Sequence, residues 1–348
     1  MMTKDKSKAP LIKTNTLDKN AKHSMLVRII SAVVGLIIVI PSIFIGNWVY
    51  FGLLGVALGF ACYEILGCAQ KRTVPLFIIY FIFVGVIACW PMFIDLIRHG
   101  FTAARVDQHF LQLHMPLMIF AAGAFVLFGF TVVYKDFSVK DACFLIAMAI
   151  LIGIGFQSLF YLRYAPLNYP FVPKGTIFVD WEFSVESTVL PSILLIYVIF
   201  STFMTDIGAY FVGILFGKNK MNERISPKKT WEGFAGGIVI STLLSFALAM
   251  ILASYNILLM PGLDLHNWVF ILLFSFLLSL IATLGDFVFS SIKRSYGIKD
   301  YGKLIPGHGG VLDRIDSLIF AAIFAAIFTY IGSQAFTGGV IDWGNLLV

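Results

Sequence analysis

Charge is scarce in this chain of 348 residues: Asp, Glu, Lys and Arg together make up 13% of it, against about 25% in a soluble domain. That scarcity excludes an ordinary water-soluble fold. Cysteine is scarce as well. Cys62, Cys68, Cys89 and Cys143 all fall inside apolar runs, and none sits at a metal-ligand spacing, which argues against a disulfide framework or a structural zinc site. The chain has no evident internal repeat and no low-complexity linker. It also lacks the glycine spacing of a Walker phosphate loop.

What the chain does have is apolar length. Hydrophobic residues account for 59% of it, 35 of them Phe, and the mean hydropathy is +0.91. Runs near 28–45, 48–69, 75–97, 115–134, 141–162, 189–216, 233–255, 267–290 and 316–334 are each long enough for a helix that crosses a bilayer, which takes about 20 residues. Lipid offers no hydrogen-bond partner to an open backbone, so runs of this kind must be helical. The expected fold is therefore all-α and polytopic, with about nine transmembrane helices. Residues 1–24 are polar and lysine-rich and are expected to form a cytoplasmic tail. The run that follows has no clean cleavage site and reads as an uncleaved first helix. Residues 25–188 then hold about five spans and end in an outer loop, 163–188. Residues 189–348 hold about four more and carry the chemistry.

The few charges are unevenly placed. With the N-terminus inside, every Lys and Arg except Arg98, Arg105, Arg163 and Lys174 falls on the cytoplasmic side. This positive-inside bias predicts an odd number of spans, N-terminus in and C-terminus out. The outer loop 163–188 reads as a connector.

Ionisable groups inside spans are costly and should face the bundle interior or a wet cavity. Glu64, Asp206 and Asp286 are such groups. Asp286, Ser290 and Lys293 recur at i, i+4 and i+7, on one helical face. An internal Asp–Lys balance, with Lys293 and Arg294 as interfacial anchors, would explain that face alone. The next loop adds more. Gly307, Gly309 and Gly310 surround His308 and could aim backbone amides at an anion, while Lys299 and Lys303 add positive charge. Asp313 and Asp316 open the last span at i and i+3, where helix-end charge would favour them in any protein. Acids converging with hydroxyls on one boundary also suit magnesium, which takes few carboxylates and shares substrate phosphates. A second basic loop contains Ser226-Pro227-Lys228-Lys229-Thr230 and then Glu232. Its lysines could hold a triphosphate as point charges, and Thr230 could cap the following helix. Asp206, with Gly208 and Gly213 beside it, is expected to face the same polar cavity. For Glu64, a packing hydrogen bond and a catalytic role are equally open.

The segment Ser290–Asp316, SSIKRSYGIKDYGKLIPGHGGVLDRID, resembles the signature of phosphatidate cytidylyltransferases, the CDP-diacylglycerol synthases. SPKKTWEG and TDIGAYFVG resemble the same family, and the likeness is good from about residue 195 to 334. The resemblance implies cytidylyl transfer from CTP to phosphatidic acid, with a divalent ion (Mg2+ or Mn2+) and K+ as a second cation. It places Asp286, Asp313 and Ser290 at the metal. Lys293, Arg294, His308 and Asp316 are the implied catalytic group. Asp206, Ser226, Lys228, Lys229, Thr230, Glu232, Lys299, Gly309 and Gly310 are the implied substrate contacts. The expected setting is a bacterial inner membrane with the site on its cytoplasmic side and no nucleic-acid partner; a homodimer is left open. The rivals are a lipid kinase or cytidylyltransferase acting on another lipid, and a cation-coupled transporter, which would show paired broken helices in two symmetric halves.

Overall fold

The computed structural model describes residues 19–99, 114–164, 188–189 and 191–336, apart from positions 261, 262, 264, 266 and 308. Nine α-helices run through them: α1 (Lys19–Ile45), α2 (Asn47–Cys68), α3 (Val74–His99), α4 (His114–Val133), α5 (Val139–Tyr164), α6 (Pro191–Phe216), α7 (Trp231–Ser254), α8 (Trp268–Ser295) and α9 (Leu312–Phe336). Six of them, α2 and α5 to α9, are long and apolar enough to cross a bilayer; α1, α3 and α4 carry shorter apolar stretches, Ile30–Ile45, Val74–Cys89 and Phe120–Val133. The chain is thus an all-α membrane protein, with each helix on one of the expected apolar runs. Residues 1–18, nearly all of the outer loop and His308 lie outside the described residues.

Four short strands interrupt the helices: β1 (Thr188–Val189), β2 (Lys220–Asn222), β3 (Ser226–Thr230) and β4 (Ile257–Leu258). β1 pairs with β4 in parallel, and β2 pairs with β3 antiparallel. The hairpin β2–β3 corrects the expectation of a simple basic turn. Asn222 sets its bend by accepting from the amides of Arg224 and Ile225 (3.1 and 3.2 Å).

Packing orders the bundle into two ends. At one end, Lys71 binds Asp141 (3.5 Å) and the carbonyl of Asp136, and the rings of Phe144 and Tyr296 meet at 4.4 Å. Ser31 donates to the Pro306 carbonyl there (3.2 Å). The connectors after α2, α4 and α8 therefore gather together, and the one after α6 joins them through the Ile225 carbonyl, which accepts from Arg294 at the end of α8. At the other end, Arg163 of α5 is buried and donates from Nε to the Ile43 carbonyl of α1 (2.6 Å). The apolar outer faces, for example Val33, Ile37 and Ile38 of α1, stay exposed, as they must where the solvent is lipid.

The tightest contact is between α6 and α7. At Gly237 an added Cβ would lie 2.8 Å from both the Ala209 Cβ and the Thr205 carbonyl. The two backbones touch there because nothing stands between them, as expected where helices in lipid gain little from hydrophobic association and rely on close packing. A hydroxyl seam ties α8 to this pair. Ser279 donates to Ser241 (2.9 Å), which donates to the Ser201 carbonyl (2.8 Å), and the Tyr197 hydroxyl meets Ser275 Oγ at 2.6 Å. Gly237→Val is expected to push α6 and α7 apart at a cost of about 1–3 kcal/mol, the usual range for overpacking. Thermal unfolding in detergent checks this: the midpoint falls clearly for Gly237→Val and stays unchanged for Gly52→Ala, whose Cβ would meet nothing within 4 Å.

Candidate active site at the basic end of the bundle

The site is assembled where α6, α8 and α9 meet the hairpin and the 296–311 loop. Asp286 and Ser290 share a face of α8, and the Ser290 hydroxyl donates to Asp286 Oδ1 (3.3 Å). Asp286 Oδ2 takes the ammonium of Lys229 from β3, and that ammonium also lies 4.2 Å from the centroid of the Phe287 ring. The hairpin is held against α8 a second time, because Arg294 donates from Nε to the Ile225 carbonyl (3.1 Å) and from Nη1 to Ile298 O (3.0 Å).

One turn beyond Ser290, Lys293 crosses to α9. Its ammonium binds Asp313 Oδ1 at 2.8 Å and lies 3.7 Å from Asp316 Oδ2. All three residues are buried. Removing one partner from such a group strands the other charges and typically costs about 3–5 kcal/mol. Asp313 Oδ2 accepts further from the amides of Tyr301 (2.9 Å) and Gly310 (3.0 Å). The expected metal ligand Asp313 thus has both oxygens engaged, and it clamps the 301–310 loop to the start of α9.

Asp206 reaches the same place from α6. It is exposed, and it lies within electrostatic reach of Asp286, Lys229 and Arg314; Asp316 in turn feels Asp286 and Asp206. Depth explains the meeting. Asp206 stands ten residues before the end of α6 and Asp286 nine before the end of α8, so at about 1.5 Å per residue both lie roughly 14–15 Å in from the same edge. Three carboxylates from three helices thus share one field.

The first turn of α7 is built as expected in part. Thr230 caps it, accepting from the Gly233 amide (3.1 Å). Glu232 turns back to accept from the Lys218 amide (3.1 Å) and the Asn219 side chain (2.7 Å), and so braces the hairpin root. Ser226 starts β3, and Lys228 is exposed without a hydrogen bond or ion pair among the described residues.

Two expectations change. The amides of Gly309 and Gly310 turn inward: Gly309 N–H binds the Ile305 carbonyl (3.1 Å) and Gly310 N–H binds Asp313. They order the loop, and a phosphate would find them occupied. Glu64, left open by the sequence, reaches from α2 to the N-terminus of α9 and accepts from the amides of Val311 (2.8 Å) and Leu312 (2.9 Å). An added Cβ at Gly310 would run into this carboxylate. No local pattern could reveal that contact, because its partners are 247 and 248 residues apart. Lys299 and Lys303 do not join the Asp286 group; they line a separate cavity against α2.

Among the described residues no three Asp, Glu, His or Cys side chains form a ready-made metal cage. The donor set is nevertheless of the hard-cation kind: carboxylates and a hydroxyl, with ammonium groups already seated at Asp286, Asp313 and Asp316. Such a site fits an ion that draws its remaining ligands from phosphate and water.

Residues 26–331 match the cytidylyltransferase family. A phosphatidate cytidylyltransferase of Staphylococcus saprophyticus is 30% identical over 298 residues, covering 85% of this chain and 95% of its own length. One from Staphylococcus aureus gives the same identity and coverage. One from Mycobacterium leprae is 47% identical over 121 residues, covering 35% of each chain. The family match takes in all nine helices nearly end to end, including every residue of the acidic and basic cluster just described, and on that ground this chain belongs to the cytidylyltransferase family.

Proposed function

We propose that the Asp206–Asp286–Asp316 field and its two lysines are the centre at which CTP meets phosphatidic acid. The enzyme is a phosphatidate cytidylyltransferase and makes CDP-diacylglycerol. One observation carries the placement: carboxylates and ammonium groups from α6, α8, α9 and the hairpin converge at one end of an apolar bundle, within a few turns of its edge. A lipid phosphate held in the bilayer and a triphosphate from water can both reach such a depth.

A phosphate oxygen of phosphatidic acid forms a bond to the α-phosphorus of CTP, and the bond from that phosphorus to the β-phosphate oxygen breaks. Pyrophosphate leaves with the bonding electrons. The nucleophile is already ionised near neutral pH, so no strong base is required; the demand is to hold two anions together. Lys228 is exposed and uncommitted, which suits it to the triphosphate. Lys229 neutralises Asp286 in the structure and can turn to a phosphate when another cation takes its place. Lys293 keeps Asp313 and Asp316 in position. A magnesium or manganese ion, held by Asp286 and by the lone pairs left on Asp313, would offset charge on the transferring and leaving phosphates; K+ is a second cation of the same site.

The topology belongs to this reading. The helices cross as nine spans, with the N-terminus and the basic connectors in the cytoplasm of a bacterial cell. The end of the bundle that gathers Lys71, the hairpin and the 296–311 loop is where most of the cationic side chains lie, and cytoplasmic retention of such loops supports the assignment.

Purified protein given labelled CTP and phosphatidic acid is expected to form labelled CDP-diacylglycerol with magnesium and none with a chelator; label found only in another lipid would overturn the substrate. Asp286→Ala should lower kcat by at least about 100-fold, the scale for losing a preorganised electrostatic group, while the protein still inserts. Lys228→Ala should raise KM for CTP about 10-fold or more, the scale of one charge-assisted hydrogen bond, and leave KM for phosphatidic acid unchanged; an unaltered CTP dependence removes Lys228 from the nucleotide site. In a variant whose four native cysteines are replaced, a membrane-impermeant maleimide should label Lys220→Cys only from the cytoplasmic face and Tyr255→Cys only from the other.

A further inference from the structure

A cavity of about 930 Å³ opens between α2, the start of α3 and the segment that follows α8. Its walls are of two kinds. Val56, Phe60 and Phe77 make an apolar side. Arg72, Lys299 and Lys303 make a cationic rim, and none of these three has a hydrogen bond or ion pair among the described residues. The Arg72 guanidinium lies 4.3 Å from the centroid of the Tyr63 ring, a cation–π contact that gives its N–H donors no acceptor. The acids nearby do not balance the rim. Glu64, whose oxygens also hold the start of α9, and Asp300 face three cations, which leaves one positive charge in excess.

The apolar wall continues into the outer surface of the bundle. Val56 is 60% exposed, and Ile78 and Ile82 on α3 are 50% and 56% exposed. An occupant must therefore be anionic at one end and apolar at the other, and must enter from the bilayer. A free nucleotide would leave the Phe60 and Phe77 wall uncovered, and a neutral lipid would leave the excess positive charge unmatched. We infer that this cavity is a binding site for a glycerophospholipid with an anionic phosphate head, whose phosphate sits among Arg72, Lys299 and Lys303 and whose chains lie along α2 and α3.

The cavity shares no lining residue with the Asp286–Lys229 group. Its back wall carries Tyr301, whose amide holds Asp313, and Glu64, which holds the first turn of α9. A lipid there would lean on the loop that positions the catalytic acids.

Binding can be read without turnover, so its result stands whether or not the transferase assignment holds. Native mass spectrometry of the whole protein in detergent, titrated with phosphatidic acid, phosphatidylglycerol or phosphatidylcholine, supplies the measurement. Arg72→Gln with Lys303→Gln should bind the anionic lipids at least fivefold less than the unmodified chain, with weak phosphatidylcholine binding unchanged. Gly59→Phe keeps the charges and fills the cavity from α2; it should give the same loss, which guards against a folding defect in the first variant. Loss confined to phosphatidic acid, with a raised KM for it, identifies the cavity as the substrate's berth. Equal loss of phosphatidylglycerol, with that KM unchanged, identifies a separate lipid site. Anionic lipid binding that survives both variants, or phosphatidylcholine binding equal to that of the anionic lipids, overturns the inference.

Discussion

Lys293 reaching from α8 to Asp313 and Asp316 of α9 is the contact on which the site depends. In an apolar bundle a lone charge is expensive, and a lone pair of carboxylates more so. With the ammonium between them, the two acids can stand at the start of a helix, and one of them can in addition hold the amides of Tyr301 and Gly310. The 296–311 loop therefore takes its shape from a charge pair, and the positions of its other residues follow from that.

The same economy runs outward. Lys229 pins a short hairpin to α8 through Asp286, and Arg294 pins the bend of that hairpin through a carbonyl. Asp206 lies at the depth of Asp286 because each stands nine or ten residues before the end of its helix. Asp286, Asp313 and Asp316 are each held by a lysine that comes from another element of the chain. A bundle whose apolar surfaces would slide freely in lipid thereby acquires one register.

Much of this was legible in the chain. Nine apolar runs marked nine helices, and the i, i+4, i+7 spacing put Asp286, Ser290 and Lys293 on one face because a helix has 3.6 residues per turn. Thr230 read as a helix cap for the same local reason. What stayed hidden was non-local or lacked periodicity. The strand Ser226–Thr230 holds a proline and two lysines and shows no alternation, so nothing marked it as a strand. The inward turn of the Gly309 and Gly310 amides depends on Ile305 and Asp313 and on the fold between them. Glu64 could be singled out as an acid in a span, yet its partners lay at the far end of the sequence. The cavity beside it joins side chains from three separate stretches and had no signature at all.

Glu64 has a consequence for how the molecule can be divided. The helices that carry the acidic cluster all come from the second half of the chain, which invites the view that the first half is packaging. Yet the leading amides of the last helix find their acceptors on α2. A fragment consisting of the second half alone would expose those donors to the membrane boundary and let the turn bearing Asp313 fray. The first half of the chain therefore supplies part of what holds the turn that bears Asp313.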